Sequence, residues 1–180
     1  MEQKCHIFLC GERGVGKSTL IRRLLEASGL RVGGFCTKLL PTEDGLNPVY
    51  IHPASQREEE RSYGLENRIA YCDGQRHRIH TEVFDTVGAS LLRPSGREEV
   101  MVMDELGFME SQAHDFTAAV FRALDGPVPV LAAVKNRFDV EFLNAVQAHP
   151  AACLVQIDPT NREELYERLL SIVMRWKKES

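Results

Sequence analysis

Eight consecutive residues, Gly11-Glu12-Arg13-Gly14-Val15-Gly16-Lys17-Ser18, carry the densest chemistry in this chain. They match the pattern G-x-x-x-x-G-K-[ST] at each specified position. The glycines let successive backbone N–H groups curl into an anion-binding nest that no side chain obstructs. Lys17 adds a point charge suited to the β- and γ-phosphates of a nucleoside triphosphate. Ser18 supplies a hydroxyl oxygen of the hard kind that Mg²⁺ accepts. Residues 11–18, with Thr19 behind them, are therefore expected to bind the phosphates, with the positive end of the following helix aimed at the same charge.

A second chemical group lies at Asp104-Glu105, directly after the apolar run Val100-Met101-Val102-Met103. In a phosphate-loop protein such a strand delivers an aspartate to the Mg²⁺ shell, often through water, and Asp104 is assigned that role with Ser18. Glu105 stands one residue on, placed to orient or deprotonate a water attacking the γ-phosphate. Hydrolysis also builds charge on the γ-phosphoryl oxygens, and Arg137 is the candidate in cis to neutralise it, beside Lys17. Arg13 is expected to face solvent. A decoy is present: Asp85-Thr86-Val87-Gly88 fits the D-x-x-G switch of small GTPases. The guanine-reading Asn-Lys-x-Asp is missing, since Val134-Lys135-Asn136-Arg137-Phe138-Asp139 has the order wrong. Asp85 is read as a helix cap.

These groups need elements to position them. His6-Ile7-Phe8-Leu9-Cys10 reads as a buried parallel strand before the loop. After it, Leu20, Ile21, Leu24 and Leu25 recur at helical spacing, and Gly29 supplies the stop. Strands are expected at 32–39 and 49–51, with a turn across Pro41–Pro48. A hairpin is expected from Arg68–Tyr71 and Arg78–His80 about Asp73-Gly74. Residues 32–82 thus form a β-rich, antiparallel excursion. The charge run Glu58-Glu59-Glu60 reads as a solvated face. Beyond it come a helix over 86–92, a strand at 100–103, a helix over 111–124, a strand over 127–134, a helix over 138–148 and a strand over 152–157. A last helix opens at Thr160, with Glu163 completing a capping box. Strands alternating with helices imply a mostly parallel sheet covered on both faces. The expected fold class is α/β, a P-loop NTPase three-layer sandwich with an antiparallel β excursion at about residues 32–82, and residues 1–180 form one domain.

Composition narrows the partners. The chain has 180 residues, 43% hydrophobic and 27% charged, and a net charge of −4, so it carries no basic footprint for nucleic acid. No apolar run reaches the length of a membrane span, and the loop at residue 11 leaves no room for a signal peptide. Five scattered cysteines, Cys5, Cys10, Cys36, Cys72 and Cys153, suggest reduced thiols in a cytoplasmic protein. His77 and His80 sit three apart on a strand and point to opposite faces, which argues against a zinc site.

With both motifs placed, the chain resembles the small P-loop nucleoside-triphosphatase family of archaea and bacteria, whose vertebrate member is called cancer-related nucleoside-triphosphatase. The resemblance is carried by the loop at 11–18, by Gly34-Phe35-Cys36-Thr37, by Asp104-Glu105-Leu106-Gly107-Phe108-Met109-Glu110 and by Asn161-Arg162. It implies Mg²⁺-dependent hydrolysis of ATP, GTP and other nucleoside triphosphates with loose base preference, and a RecA-like or kinase-like fold. It also suggests that Asn161 and Arg162 line the base slot. Phe108 stands where the family has Lys, and residues 40–82 match poorly. Two other readings use the same loop: a small-molecule or nucleotide kinase, and a nucleotide-dependent switch. In either, the 40–82 region would receive a small-molecule acceptor or a protein partner.

Overall fold

The computed structural model describes residues 5–74 and 76–178. The apolar run His6–Cys10 forms β1, buried along its whole length. The other strands are β2 (Val32–Leu39), β3 (Asn47–Pro53), β4 (Arg68–Cys72), β5 (His77–Ile79), β6 (Val100–Leu106), β7 (Val130–Val134) and β8 (Ala152–Gln156). Among the described residues they make one sheet in the order β5-β4-β3-β2-β6-β7-β1-β8. From β2 to β8 the neighbours run parallel. From β2 to β5 they run antiparallel. The expected excursion is therefore present, and β2 is the strand that belongs to both halves.

The helices are α1 (Lys17–Ser28), α2 (Thr81–Val83), α3 (Ala89–Leu91), α4 (His114–Asp125), α5 (Glu141–Gln147) and α6 (Arg162–Val173). Alternation along the central strands divides the core into two layers. Ile7, Leu9, Val102, Leu131 and Ala133 pack against Leu20 and Leu24 of α1 and Leu165 and Leu169 of α6. Phe8, Met103, Ala132 and Val134 pack against Phe116 and Val120 of α4 and Leu143 and Val146 of α5. The result is the three-layer sandwich expected from the strand–helix rhythm.

Two glycines fix this arrangement. Gly29 ends α1 at φ +61°, its N–H returning to the Leu25 carbonyl. Gly34 has φ +90°, and a Cβ there would overlap the backbone of Val102. β2 can approach β6 at that point only because residue 34 has no side chain.

Four expectations are corrected. The helix expected over 86–92 begins earlier, as α2, then a π-helical segment Phe84–Gly88, then α3. Gly88 lies against the Phe116 ring, so the wide π turn forms where α4 presses closest. The helix expected from 111 starts at His114, because residues 107–113 form a loop closed by the Glu110 carboxylate on the Gly107 N–H. The Thr160 capping box does not form: Asn161 is the N-terminal cap of α6, and Thr160 instead donates to Asp158 from both its N–H and its hydroxyl, at 2.7 and 2.6 Å. Cys5 and Cys153 are not thiols but a disulfide, with Cα atoms 5.8 Å apart. Pairing of β8 with β1 sets Cys153 opposite Ile7, two residues from Cys5. Cys10, Cys36 and Cys72 carry free thiols.

Candidate active site

The loop between β1 and α1 takes its shape from glycine. Gly14 and Gly16 have φ +76° and +105°, and a Cβ on Gly11 would overlap the Ile157 carbonyl. Lys17 is 5% exposed and folds back over the loop, donating to the Gly11 and Glu12 carbonyls at 2.8 and 3.0 Å. Those carbonyls hold the ammonium at the mouth of the nest. Ser18, one residue on, donates its hydroxyl to Asp104 Oδ1 at 2.8 Å across 86 residues of sequence.

β6 brings both acids to this point. The strand runs on through Leu106 rather than ending at Met103, and its register against β7 shifts between Asp104 and Leu106. The Asp104–Glu105 peptide bond is cis. A bulge re-aims a side chain that would otherwise alternate with the pleat. Here Glu105 Oε2 lies 3.4 Å from Lys17 Nζ and Oε1 lies 3.6 Å from Lys135 Nζ. Burial raises the Asp104 carboxyl to about 6; the Ser18 hydrogen bond opposes this, the Glu105 charge adds to it, and the Lys17 and Arg61 charges oppose it. Burial likewise pushes Glu110 up to about 7, against the hydrogen bond it accepts from Gly107.

The remaining candidates divide. Asn161 turns inward to its own loop, accepting the Asp158 N–H at 2.9 Å and donating to the Gln156 carbonyl at 3.0 Å. Arg162 lies over the loop: a Cβ on Gly16 would stand 3.3 Å from its Cδ. With Thr19, Arg23 and Pro159 it borders a depression of about 150 Å³. Arg137 is 46% exposed and makes a two-pronged pair with Asp139 at 2.8 and 2.6 Å, its guanidinium 5.2 Å from the Phe108 ring centre. Arg13 is exposed. Asp85 is a cap, though of another helix: its Oδ1 accepts the Phe116 N–H in the first turn of α4 at 3.0 Å.

Sequence reasoning passed over two cations. Lys135 belongs to no motif except the misordered guanine one. It directly follows the apolar run Leu131–Val134, and β7 lies between β1 and β6, so the end of β7 falls between the two motifs. That position was readable as a strand end at the ligand-binding edge of an α/β sheet. Arg61 had no such signal, because it lies in an irregular polar stretch.

A glycine-lined loop at a helix N-terminus, with a lysine inside it and a hydroxyl–carboxylate pair at its end, defines a P-loop nucleotide-binding protein. The model of the NTPase family matches residues 6–170, and the chain belongs to that family of nucleoside-triphosphatases. It is 26% identical to nucleoside-triphosphatase THEP1 of Methanopyrus kandleri over 97% of this chain and 98% of the relative. It is 30% identical to the THEP1 of Thermofilum pendens over 73% of this chain and 74% of that one. The crystal structure of THEP1 from Aquifex aeolicus superposes with a TM-score of 0.71 at 23% identity, covering 93% of this chain and 98% of that one, and shares the fold.

Proposed function

We propose that this chain binds a Mg²⁺-nucleoside triphosphate on residues 11–19 and hydrolyses it to the diphosphate and phosphate, with Glu105 as the group that prepares water. The observation that carries this reading is the convergence of Lys17, Ser18, Asp104, Glu105 and Lys135, from three strand ends, at one edge of the sheet. The Ser18 and Asp104 oxygens, 2.8 Å apart, suit an ion that takes oxygen ligands and keeps several waters. When bound there, Mg²⁺ neutralises charge on the phosphate oxygens.

The chain's own groups do the rest. Lys17 leaves the Gly11 and Glu12 carbonyls for the β- and γ-phosphates. Glu105, steadied by Lys17 and Lys135, accepts a proton from water as the water oxygen bonds to the γ-phosphorus and the bridging P–O bond breaks. Lys135 supplies a cation where charge builds on the γ-phosphoryl oxygens. Arg137 adds a second only by releasing Asp139. The depression beside Arg162 receives the base.

No helix of the described residues is long and apolar enough to cross a membrane. A cytoplasmic setting belongs to the proposal; three free cysteines support it and the Cys5–Cys153 bond opposes it. Phosphate release from ATP, GTP, CTP and UTP, each with Mg²⁺ and with excess chelator, tests the reading. Release from all four that disappears with chelator and in Lys17→Ala is expected. Turnover that survives both changes would contradict it.

A further inference from the structure

Beside the nucleotide site lies a cavity of about 680 Å³ that hydrolysis does not require. A water molecule takes up about 30 Å³, and cavities of roughly 300–1,000 Å³ are the size of small-molecule sites. Its floor includes Ser18 and Asp104; one wall is α1 at Ile21 and Leu25, and the other runs along β2 and the segment from Ala54 to Arg61. It shares Thr19 with the depression beside Arg162, and it meets the proposed Mg²⁺-triphosphate site at Ser18, Thr19 and Asp104, so a molecule held in it lies directly against that site.

Each cation on its walls has a carboxylate within 4.0 Å, and Arg61 is the one that is largely buried. Lys38 pairs with Glu58 at 2.7 Å, Arg57 with Glu59 at 3.7 Å, and Arg22 with Glu26 at 4.0 Å. Arg61 is largely buried, and its closest carboxylate contact is 4.0 Å, to the same Glu58 that Lys38 holds. Its Nη2 reaches only the Gln56 carbonyl, at 3.3 Å, and its buried Nε has no acceptor among the described residues. A largely buried guanidinium with one idle donor on a cavity wall has room for a further anionic acceptor. Ile21, Leu25 and Val32 line the same cavity and offer it an apolar edge suited to a flat ring.

We propose that this cavity binds a small organic phosphate of nucleoside-monophosphate size, with its phosphate on Arg61 and its ring against Ile21, Leu25 and Val32, and that this molecule accepts the γ-phosphoryl group in place of water. The proposal rests on residues 11–19 being the triphosphate site. A non-bridging oxygen of the acceptor phosphate forms the new bond to the γ-phosphorus. The bond from that phosphorus to the β,γ-bridging oxygen breaks, and its electron pair leaves on the departing diphosphate. The acceptor becomes a diphosphate, and because its attacking oxygen is already anionic no proton is abstracted. Hydrolysis is the reaction that occurs when the cavity holds only water.

Calorimetric titration of the full chain with AMP, GMP, CMP and UMP, without triphosphate, tests the site. Saturable binding of at least one is expected, undiminished by a saturating non-hydrolysable ATP analogue and kept in Lys17→Ala. It weakens at least about tenfold in Arg61→Gln, which removes a charged donor. It weakens similarly in Ser55→Trp, a surface change that fills the cavity mouth. With γ-labelled ATP, label then appears in the diphosphate of the bound acceptor. No saturable binding, binding displaced by the analogue, or binding without label transfer overturns the proposal. Undiminished ATP binding in Lys17→Ala would instead overturn the reading of the loop.

Discussion

Glu105 touches two lysines from different elements, and only one of them belongs to the motif that advertises the site. Lys17, Ser18, Asp104 and Glu105 were legible because each is tied to a short pattern whose chemistry dictates the residue type. Lys135 was not, because its role comes from strand order, which places β7 between the two motif strands. Lys135→Ala is expected to lower kcat by about 10²-fold, the scale of losing one charge-stabilising donor. Arg137→Ala is expected to lower it less than about fivefold, since it breaks an exposed pair with Asp139. A loss of about 10³-fold or more in steady-state assays of Arg137→Ala would restore it as the catalytic arginine. Glu110 gives a pH signature. Its carboxyl is raised to about 7 by burial, so the folded chain favours its protonated form. The stability it contributes is full below its ordinary value near 4.5 and is lost as pH rises through about 7. Urea midpoints should therefore fall between pH 5 and pH 8, and Glu110→Gln should remove up to about 3 kcal/mol of that dependence.

Elements were legible where apolar periodicity was unbroken, as in β1, α1 and β7. They were misread where a side chain from elsewhere decides the backbone. Residues 111–113 look helical by pattern, yet the Glu110 carboxylate closes the 107–113 loop on Gly107. Thr160 and Glu163 have the spacing of a capping box, but Asp158 takes the Thr160 donors first. The segment Phe84–Gly88 widens into a π turn against a phenylalanine 28 residues further along the chain. None of these competitors is visible in a local window. The β2–β6 contact makes a direct prediction: Gly34→Ala combines a left-handed backbone with a Cβ against Val102. It should cost about 2–4 kcal/mol, read as a lower urea midpoint with an unchanged slope.

At the scale of the whole molecule, the sheet joins a parallel half that carries the proposed phosphate loop to an antiparallel half beside the cavity, and β2 is their common strand. The parallel half was readable from strand–helix alternation. The cavity's place in the 40–82 region was readable only as one alternative, and its wall along α1 was not, because it arises between α1 and a polar stretch with no periodicity of its own. Amide exchange should be slowest in β1, β6 and β7, which are buried on both faces, and fastest among the strands in β5, three residues long at the sheet edge. The central claim is that Glu105 prepares water for attack on a triphosphate held independently by the loop. Its most direct test is a single-turnover assay of Glu105→Gln with MgATP, with ATP binding measured on the same preparation. Binding within about threefold of the native chain, with hydrolysis slowed by about 10²-fold or more, is the predicted result. Hydrolysis at the native rate in a variant that binds normally would contradict it.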